Sequence, residues 1–242
     1  MNVASKDGNK AVVEIGPLMP GFGATIANPL RRVLLSSLQG TAITSIKIKG
    51  VDHEFSSIPG VMEDVIQVIL NLKKVRFTGY TDDPVELSLS VKGEKTVTAG
   101  DIKLTSDVEL INPEQVLFTM SDKKASVEMD ITVQKGRGYV AVEARQRDKL
   151  PIGVIAIDAI YSPVRKVNFS IEDVRVGDRI DYNKIVMEVE TDGSMEPEAA
   201  VKEAARILTD HFTMVQTVPV PEPKEKPAAK KTAAKKTKKK KE

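Results

Sequence analysis

The stretch Gly21-Phe22-Gly23-Ala24-Thr25-Ile26-Ala27-Asn28-Pro29-Leu30-Arg31-Arg32-Val33-Leu34-Leu35-Ser36-Ser37 decides how the rest of the chain is read. It follows an apolar run, Val12-Val13-Glu14-Ile15, and passes through a glycine-containing turn into a helix. Asn28 suits the N-cap, where its side-chain oxygen can accept from a backbone N–H that has no partner within the helix. Pro29 suits the first helical position, because no hydrogen bond is lost there. The spacing predicts a helix over about 29–38 with Leu30, Val33, Leu34 and Leu38 on one face. Arg31 and Arg32 point in different directions from it, so the helix reads as a contact element. Gly21-x-Gly23 after an apolar strand also imitates a dinucleotide fingerprint. The third glycine is missing, and a tight turn accounts for the two that are present.

Outward from this helix, the pattern alternates between strands and a few helices. Residues 11–18 predict a strand, and so does the alternation from Ile43 to Gly50. Pro59-Gly60 breaks the chain. Val61 to Leu72 then places Val61, Val65, Val68 and Leu72 on one helical face, with Glu63 and Asp64 in the first turn and Lys73 and Lys74 at the end. From about 75 to 145 the period is two, as in Val85, Leu87, Leu89, Val91 and in Val127, Met129, Ile131, Val133. This predicts a largely antiparallel block. Further strands are expected at Val154–Ile160, Val164–Glu172 and Ile185–Thr191, and a last helix from about Pro197. In that helix Val201, Leu208 and Val215 are spaced by sevens, and Ala205 and Phe212 add a second line. Such spacing fits lengthwise packing on another helix, and equally an ordinary amphipathic core helix.

Composition narrows the function classes. The chain has 242 residues, 41% apolar and 29% charged, enough for one or two cored domains. It has no cysteine, which excludes disulfides, thiolate metal sites and cysteine nucleophiles and suits a reducing cytoplasm. No apolar run is long enough to span a bilayer, and no signal-peptide core is evident, so no membrane partner is expected. The net charge of +2 conceals two opposite parts. Residues 219–242 hold ten Lys and three Glu, leaving 26 basic against 31 acidic residues in the body. An acidic body disfavours a free-standing nucleic-acid binder. The Pro/Ala/Lys-rich tail has no apolar face and is expected to be disordered. Its Lys230, Lys231, Lys235, Lys236, Lys238, Lys239, Lys240 and Lys241 either hold DNA non-specifically, with a steep salt dependence, or solubilise the chain.

Catalytic patterns are sparse. The two histidines, His53 and His211, have no ligand spacing with carboxylates. No serine stands in G-x-S-x-G. The carboxylate pairs Glu63-Asp64 and Asp82-Asp83 fit a helix start and a turn, and Asp192-Gly193 lacks the other ligands of a calcium loop. Gln134-Lys135-Gly136-Arg137-Gly138-Tyr139 is either a phosphate-touching loop or a solvated hairpin tip. The residues argue against an autonomous enzyme. A nucleotide-binding enzyme built on Gly21-x-Gly23 would demand a parallel βαβ unit, where an antiparallel arrangement is expected.

Ordered matches then accumulate. Gly21-Phe22-Gly23-x-Thr25 with Asn28-x-Leu30-Arg31-Arg32-x-Leu34-Leu35-Ser36-Ser37 resembles the signature helix of bacterial RNA polymerase alpha subunits. Val51-x-His53-Glu54-Phe55-Ser56, Gly60-Val61-x-Glu63-Asp64, Asn71-Leu72-Lys73 and Lys135-Gly136-Arg137-Gly138-Tyr139-Val140 continue it. Pro151-Ile152-Gly153, Asp158-Ala159-x-Tyr161-Ser162-Pro163-Val164, Val176-Gly177, Asp181-Tyr182-x-Lys184 and Thr191-Asp192-Gly193-Ser194 complete it. The resemblance covers about 11–215. Ala27 and Pro29 depart from it, standing where the family often has glycine and a small residue.

The resemblance implies an α+β assembly subunit that homodimerises and recruits the larger beta and beta-prime polymerase subunits, with no catalytic residue, cofactor or metal of its own. It implies a discontinuous dimerisation subdomain, 1–39 plus 164–218, and an inserted, mostly antiparallel subdomain, 40–163. Arg32, Leu35 and Lys73 match beta-contacting positions, and Lys184 matches a position on the beta-prime side. The dimer seam is expected to use Phe22, Leu30, Val33 and Leu34 with Val201, Ala205, Leu208 and Phe212. The segment before residue 11 is short, so the first hairpin strand is expected to be truncated. The tail 219–242 stands where the family carries a helical, DNA-binding C-terminal domain, which is therefore expected to be missing.

Overall fold

A computed structural model describes residues 2–145, 151 and 153–217. The lysine tail lies outside the described residues. The chain opens with a hairpin of β1 (Asn2–Asp7) and β2 (Lys10–Leu18) and enters α1 (Phe22–Ser36). It then runs through β3 (Gln39–Ile48), α2 (Val65–Leu72), β4 (Phe77–Gly79), β5 (Val85–Lys92) and β6 (Lys95–Thr98). A short 3₁₀ turn, Ala99–Asp101, leads to β7 (Val108–Leu110), β8 (Val116–Met120), β9 (Ser126–Arg137) and β10 (Tyr139–Val140). The one-turn α3 (Val142–Arg145), β11 (Val154–Ala156) and β12 (Ala159–Ile160) follow. The chain closes with the hairpin β13 (Val164–Val176) and β14 (Arg179–Thr191) and then α4 (Pro197–Gln216).

The first and last segments share a four-stranded antiparallel sheet, in the order β1-β2-β14-β13. Period-two alternation on β2 and β14 turns Ala11, Val13, Ile185, Met187 and Val189 to one face. Onto it pack Ala27, Leu30 and Leu34 of α1 and Ala200, Val201 and Ala204 of α4, closing one core. A second core spans Ile43 to Ile157 and lies around a six-stranded antiparallel sheet, β5-β9-β3-β4-β7, with β11 also paired to β3. Here Val65, Val68 and Leu72 of α2 are buried. The mixed, mostly antiparallel α+β class read from the sequence is the class observed. Strands β2 and β3, on either side of α1, lie in different sheets, so Gly21-x-Gly23 is not part of a βαβ nucleotide unit.

Several boundaries differ from the sequence reading, each for a tertiary reason. Helix α1 begins at Phe22, seven residues before the expected first helical residue Pro29. Its end is capped from outside: Asn183 Oδ1 accepts from the Gly21 N–H at 2.9 Å and the Gly23 N–H at 3.3 Å. Gly21 takes a left-handed φ of 83°, open to glycine without strain. Asn28 is inside the helix and donates its amide to the Ala24 carbonyl at 3.0 Å. Pro29 also lies inside, so its lack of an N–H leaves the Thr25 carbonyl without an intrahelical donor.

Helix α2 begins at Val65, not Val61. The Met62 N–H bonds to the Thr119 carbonyl, and the Thr119 N–H to Glu63, which draws residues 61–63 towards β8. Asp64 is the N-cap, accepting from the Gln67 N–H at 2.7 Å. The expected strand 154–160 is two strands interrupted at Ile157-Asp158. Strand β1 is six residues long and pairs from Asn2↔Glu14 to Asp7↔Lys10. Gln134–Tyr139 is neither a phosphate loop nor a hairpin tip: it is the end of β9 and its passage into β10. A side chain at Gly136 would strike the Tyr161 ring, 2.6 Å from its Cβ.

Candidate functional site

Helix α1 presents Arg31, Arg32 and Leu35 outward and buries Leu30 and Leu34. Arg32 takes part in no ion pair among the described residues. Beside its C-terminal end runs the β10–β12 ribbon, in which Tyr139 pairs with Ile160 and Val140 with Ala159. Directly opposed residues share a face. Val140 and Ala159 face inward with Tyr161, which leaves Tyr139 and Ile160 outward. The outer row Asp158–Ile160–Ser162 then joins elements far apart in sequence. Asp158 Oδ2 holds Lys73 Nζ at 2.9 Å, and Ser162 Oγ donates to the Leu35 carbonyl at 3.1 Å. A second hydrogen bond, from the Tyr161 N–H to the Gly138 carbonyl at 2.8 Å, fixes the ribbon. Arg32, Leu35 and Lys73 are thus linked by one strip whose middle is two exposed apolar side chains, Tyr139 and Ile160.

The charges along this strip differ in availability. Lys73 is committed to Asp158. The carboxyl of Asp158 is held below its ordinary range, first by the Lys73 ammonium and then by the Val142 N–H. Lys184 is likewise engaged, 3.0 Å from both Glu14 and Glu172 across the sheet face, and these two carboxylates push its ammonium upward. It lies on the four-stranded sheet, away from the ribbon.

The expected seam residues divide. Leu30, Leu34 and Val201 are buried within the protomer's own core, so they back a seam and do not form its surface. Val33 and Leu208 are half-buried against that core. Phe22 is 52% exposed and Phe212 64% exposed, and Ala205 is exposed too. Met214 and Val215 extend this apolar surface along the second half of α4, where nothing among the described residues covers them.

Tyr139 and Ile160 were not among the site residues read from the sequence, because two-residue strands carry no periodicity; Tyr139 stands in a matched motif, whereas Ile160 is an unmatched position within one. Among the described residues no group of three His, Asp or Glu is arranged to hold a metal. No helix among them is long and apolar enough to cross a membrane.

What the geometry defines is a mostly antiparallel α+β protomer with two separate exposed apolar surfaces. Comparison with known proteins is specific. A match to the family described as the RNA polymerase Rpb3/RpoA insert domain covers residues 46–162. The chain is 48% identical over 200 residues to the DNA-directed RNA polymerase subunit alpha of Moorella thermoacetica, covering 83% of this chain and 64% of that protein. It is 46% identical over 208 residues to that of Desulfitobacterium hafniense, covering 86% and 66%. It is 46% identical over 212 residues to that of Symbiobacterium thermophilum, covering 88% and 67%. The chain belongs to the family of bacterial RNA polymerase alpha subunits, and the matched region spans about two thirds of these relatives' length.

Proposed function

We propose that this chain is an assembly subunit of DNA-directed RNA polymerase, acting in the cytoplasm. Residues 1–39 with 164–218 serve as the dimerisation subdomain and 40–163 as the insertion. Two copies meet along α1 and α4 with two-fold symmetry. The strip from Arg32 and Leu35 through the ribbon to Lys73 receives the beta subunit, and the sheet face carrying Lys184 lies towards beta-prime. The chain supplies no catalytic side chain, metal or cofactor to nucleotidyl transfer.

The observation that carries this reading is the exposed apolar second half of α4. It lies beyond the core that the first half closes, as expected of a helix that packs on a second copy. The second surface is physically distinct and combines an unpaired arginine with exposed tyrosine and isoleucine, the composition of an interface anchor. Two variants test the reading together. Phe212→Glu puts a charge into the seam and raises the dimer dissociation constant at least about thirtyfold, some 2 kcal/mol. Arg32→Glu leaves the dimer intact and lowers recovery of the beta subunit in co-purification. Sedimentation showing only dimer for Phe212→Glu refutes the seam, and full beta recovery with Arg32→Glu refutes the strip.

The tail lysines support a second, additive role. Ten cationic side chains on an acidic body would hold DNA through phosphate contacts alone.

A further inference from the structure

The two cores meet at a junction where apolar packing is local, a small cluster of Ala42, Ala159 and Tyr161 with Val140 against it. A solvent-open cleft of roughly 210 Å³ lies there, lined by Thr41, Phe77, Lys135, Met195 and Glu203 among others. Where the junction is open, side chains do not interdigitate, so polar contacts that bridge the cores help to hold the angle between them.

One of them stands out. Arg76 lies between α2 and β4 with its side chain only 18% exposed, and faces Asp192, 8% exposed, at the turn from β14 into α4. Arg76 Nε is 3.1 Å from Asp192 Oδ2. Each partner is separately anchored in its own half. Arg76 Nη1 donates to the Lys73 carbonyl at 2.9 Å, and its backbone N–H donates to Asn112 at 2.8 Å. Asp192 accepts from the Ser194 N–H at 3.0 Å, and its own N–H donates to the Pro163 carbonyl at 2.9 Å. Burial lowers the affinity of Arg76 for its proton and Arg165 adds to that, whereas Asp192 opposes it. Breaking one side would leave the other charge desolvated and uncompensated.

We propose that Arg76 and Asp192 form a clasp that sets the orientation of the second core on the dimer platform. Through the Lys73 carbonyl it fixes the distance between the end of α2 and helix α4. Arg76 is a positioning residue, and its importance for polymerase assembly rests on the function proposed above.

The absence of cysteine allows a direct test in the full chain. Exposed Lys92 and Lys202 are changed to cysteine, spin-labelled and diluted with excess unlabelled chain, and the distance between labels is measured by pulsed electron resonance. The parent gives one narrow distribution. Arg76→Ala and Asp192→Asn each broaden or shift it, the double variant goes no further than either single one, and Arg76→Lys recovers part of the parent's distribution. A merely stabilising residue would lower the melting temperature without moving the distance. The parent's distribution retained in both single variants overturns the clasp, whatever the melting temperature does. Recovery of beta with Arg32→Glu is measured separately, so failure of the assembly reading leaves the distance result interpretable.

Discussion

Gly23→Ala is a one-methyl change with a definite expected effect. Gly23 is buried in the first turn of α1, where that helix crosses the β13–β14 hairpin. A Cβ there would lie 2.9 Å from Ile171 Cγ2 and 3.2 Å from Asn183 Cβ. Ile171 is β-branched and stiff about χ1, so its methyl cannot simply swing away. Relieving the overlap by moving the helix costs about 1–3 kcal/mol. The same movement lengthens the two hydrogen bonds from Gly21 and Gly23 to Asn183, a loss of about 1 kcal/mol. Alanine's better helix propensity offsets roughly 1 kcal/mol. The net is a destabilisation of about 1–3 kcal/mol, which lowers the melting temperature by roughly 2–12 °C for a chain of this size.

The assay is thermal unfolding at fixed chain concentration, because association would otherwise shift the midpoint. Ile171→Ala supplies the internal control. It deletes the clashing methyl at a position already 39% exposed, so its own effect is small. In the double variant the penalty of Gly23→Ala shrinks, giving a coupling of about 1 kcal/mol. A Gly23→Ala chain as stable as the parent, or a strictly additive double variant, refutes the argument that close approach fixes glycine here.

Three further outcomes follow from the same geometry. Asp158 has its folded-state pKa depressed below the ordinary 3.8, so the Lys73–Asp158 contact contributes stability above the unfolded carboxyl's pKa and loses it as pH falls through the folded value. Asp158→Asn should thus be less stable than the parent at neutral pH, with the gap closing below about pH 4 in parallel denaturant titrations. Tyr139→Ser with Ile160→Ser removes the apolar middle of the strip; both side chains are exposed, so melting should stay close to the parent while beta recovery falls. Removing residues 218–242 should abolish the salt-dependent part of DNA binding in titrations from low to high salt, and equal binding by both chains would leave the tail as a solubilising segment.

Element types were legible in the sequence where one face is buried over many residues. The period-two runs at 85–91 and 127–133 became β5 and β9 because alternate residues enter the second core. The start of α1 was not legible, because its cap is Asn183, far along the chain, and a tertiary acceptor leaves no mark beside the glycines it serves. The Asn-Pro pair carried the local signature of a helix start and was overruled by that contact. Residue type also revealed less than environment at the candidate site. Arg32, Lys73 and Lys184 are all basic residues in matched motifs, but Lys73 and Lys184 are neutralised by Asp158, Glu14 and Glu172. Which cations remain free depends on strand register and helix placement, which no local pattern encodes.

The sevenfold spacing on α4 shows the same limit in a form that bears on function. Val201, Leu208 and Val215 lie along one helical line, yet they are buried, half-buried and exposed in turn. The protomer's core ends with the half-buried Ile207 and Leu208, while the helix continues to Gln216. At 1.5 Å per residue the remaining eight residues, Thr209 to Gln216, extend about 12 Å past it. A helix segment of that length is marginal alone in water. Phe212, Met214 and Val215 would gain from burial about 1.5–3 kcal/mol each. Such a segment persists when a second apolar surface covers it, and in a symmetric pair the same segment of the other copy is available at equal concentration. On the proposed function, the single pattern in the sequence combines two roles, folding the protomer at one end of the helix and joining protomers at the other.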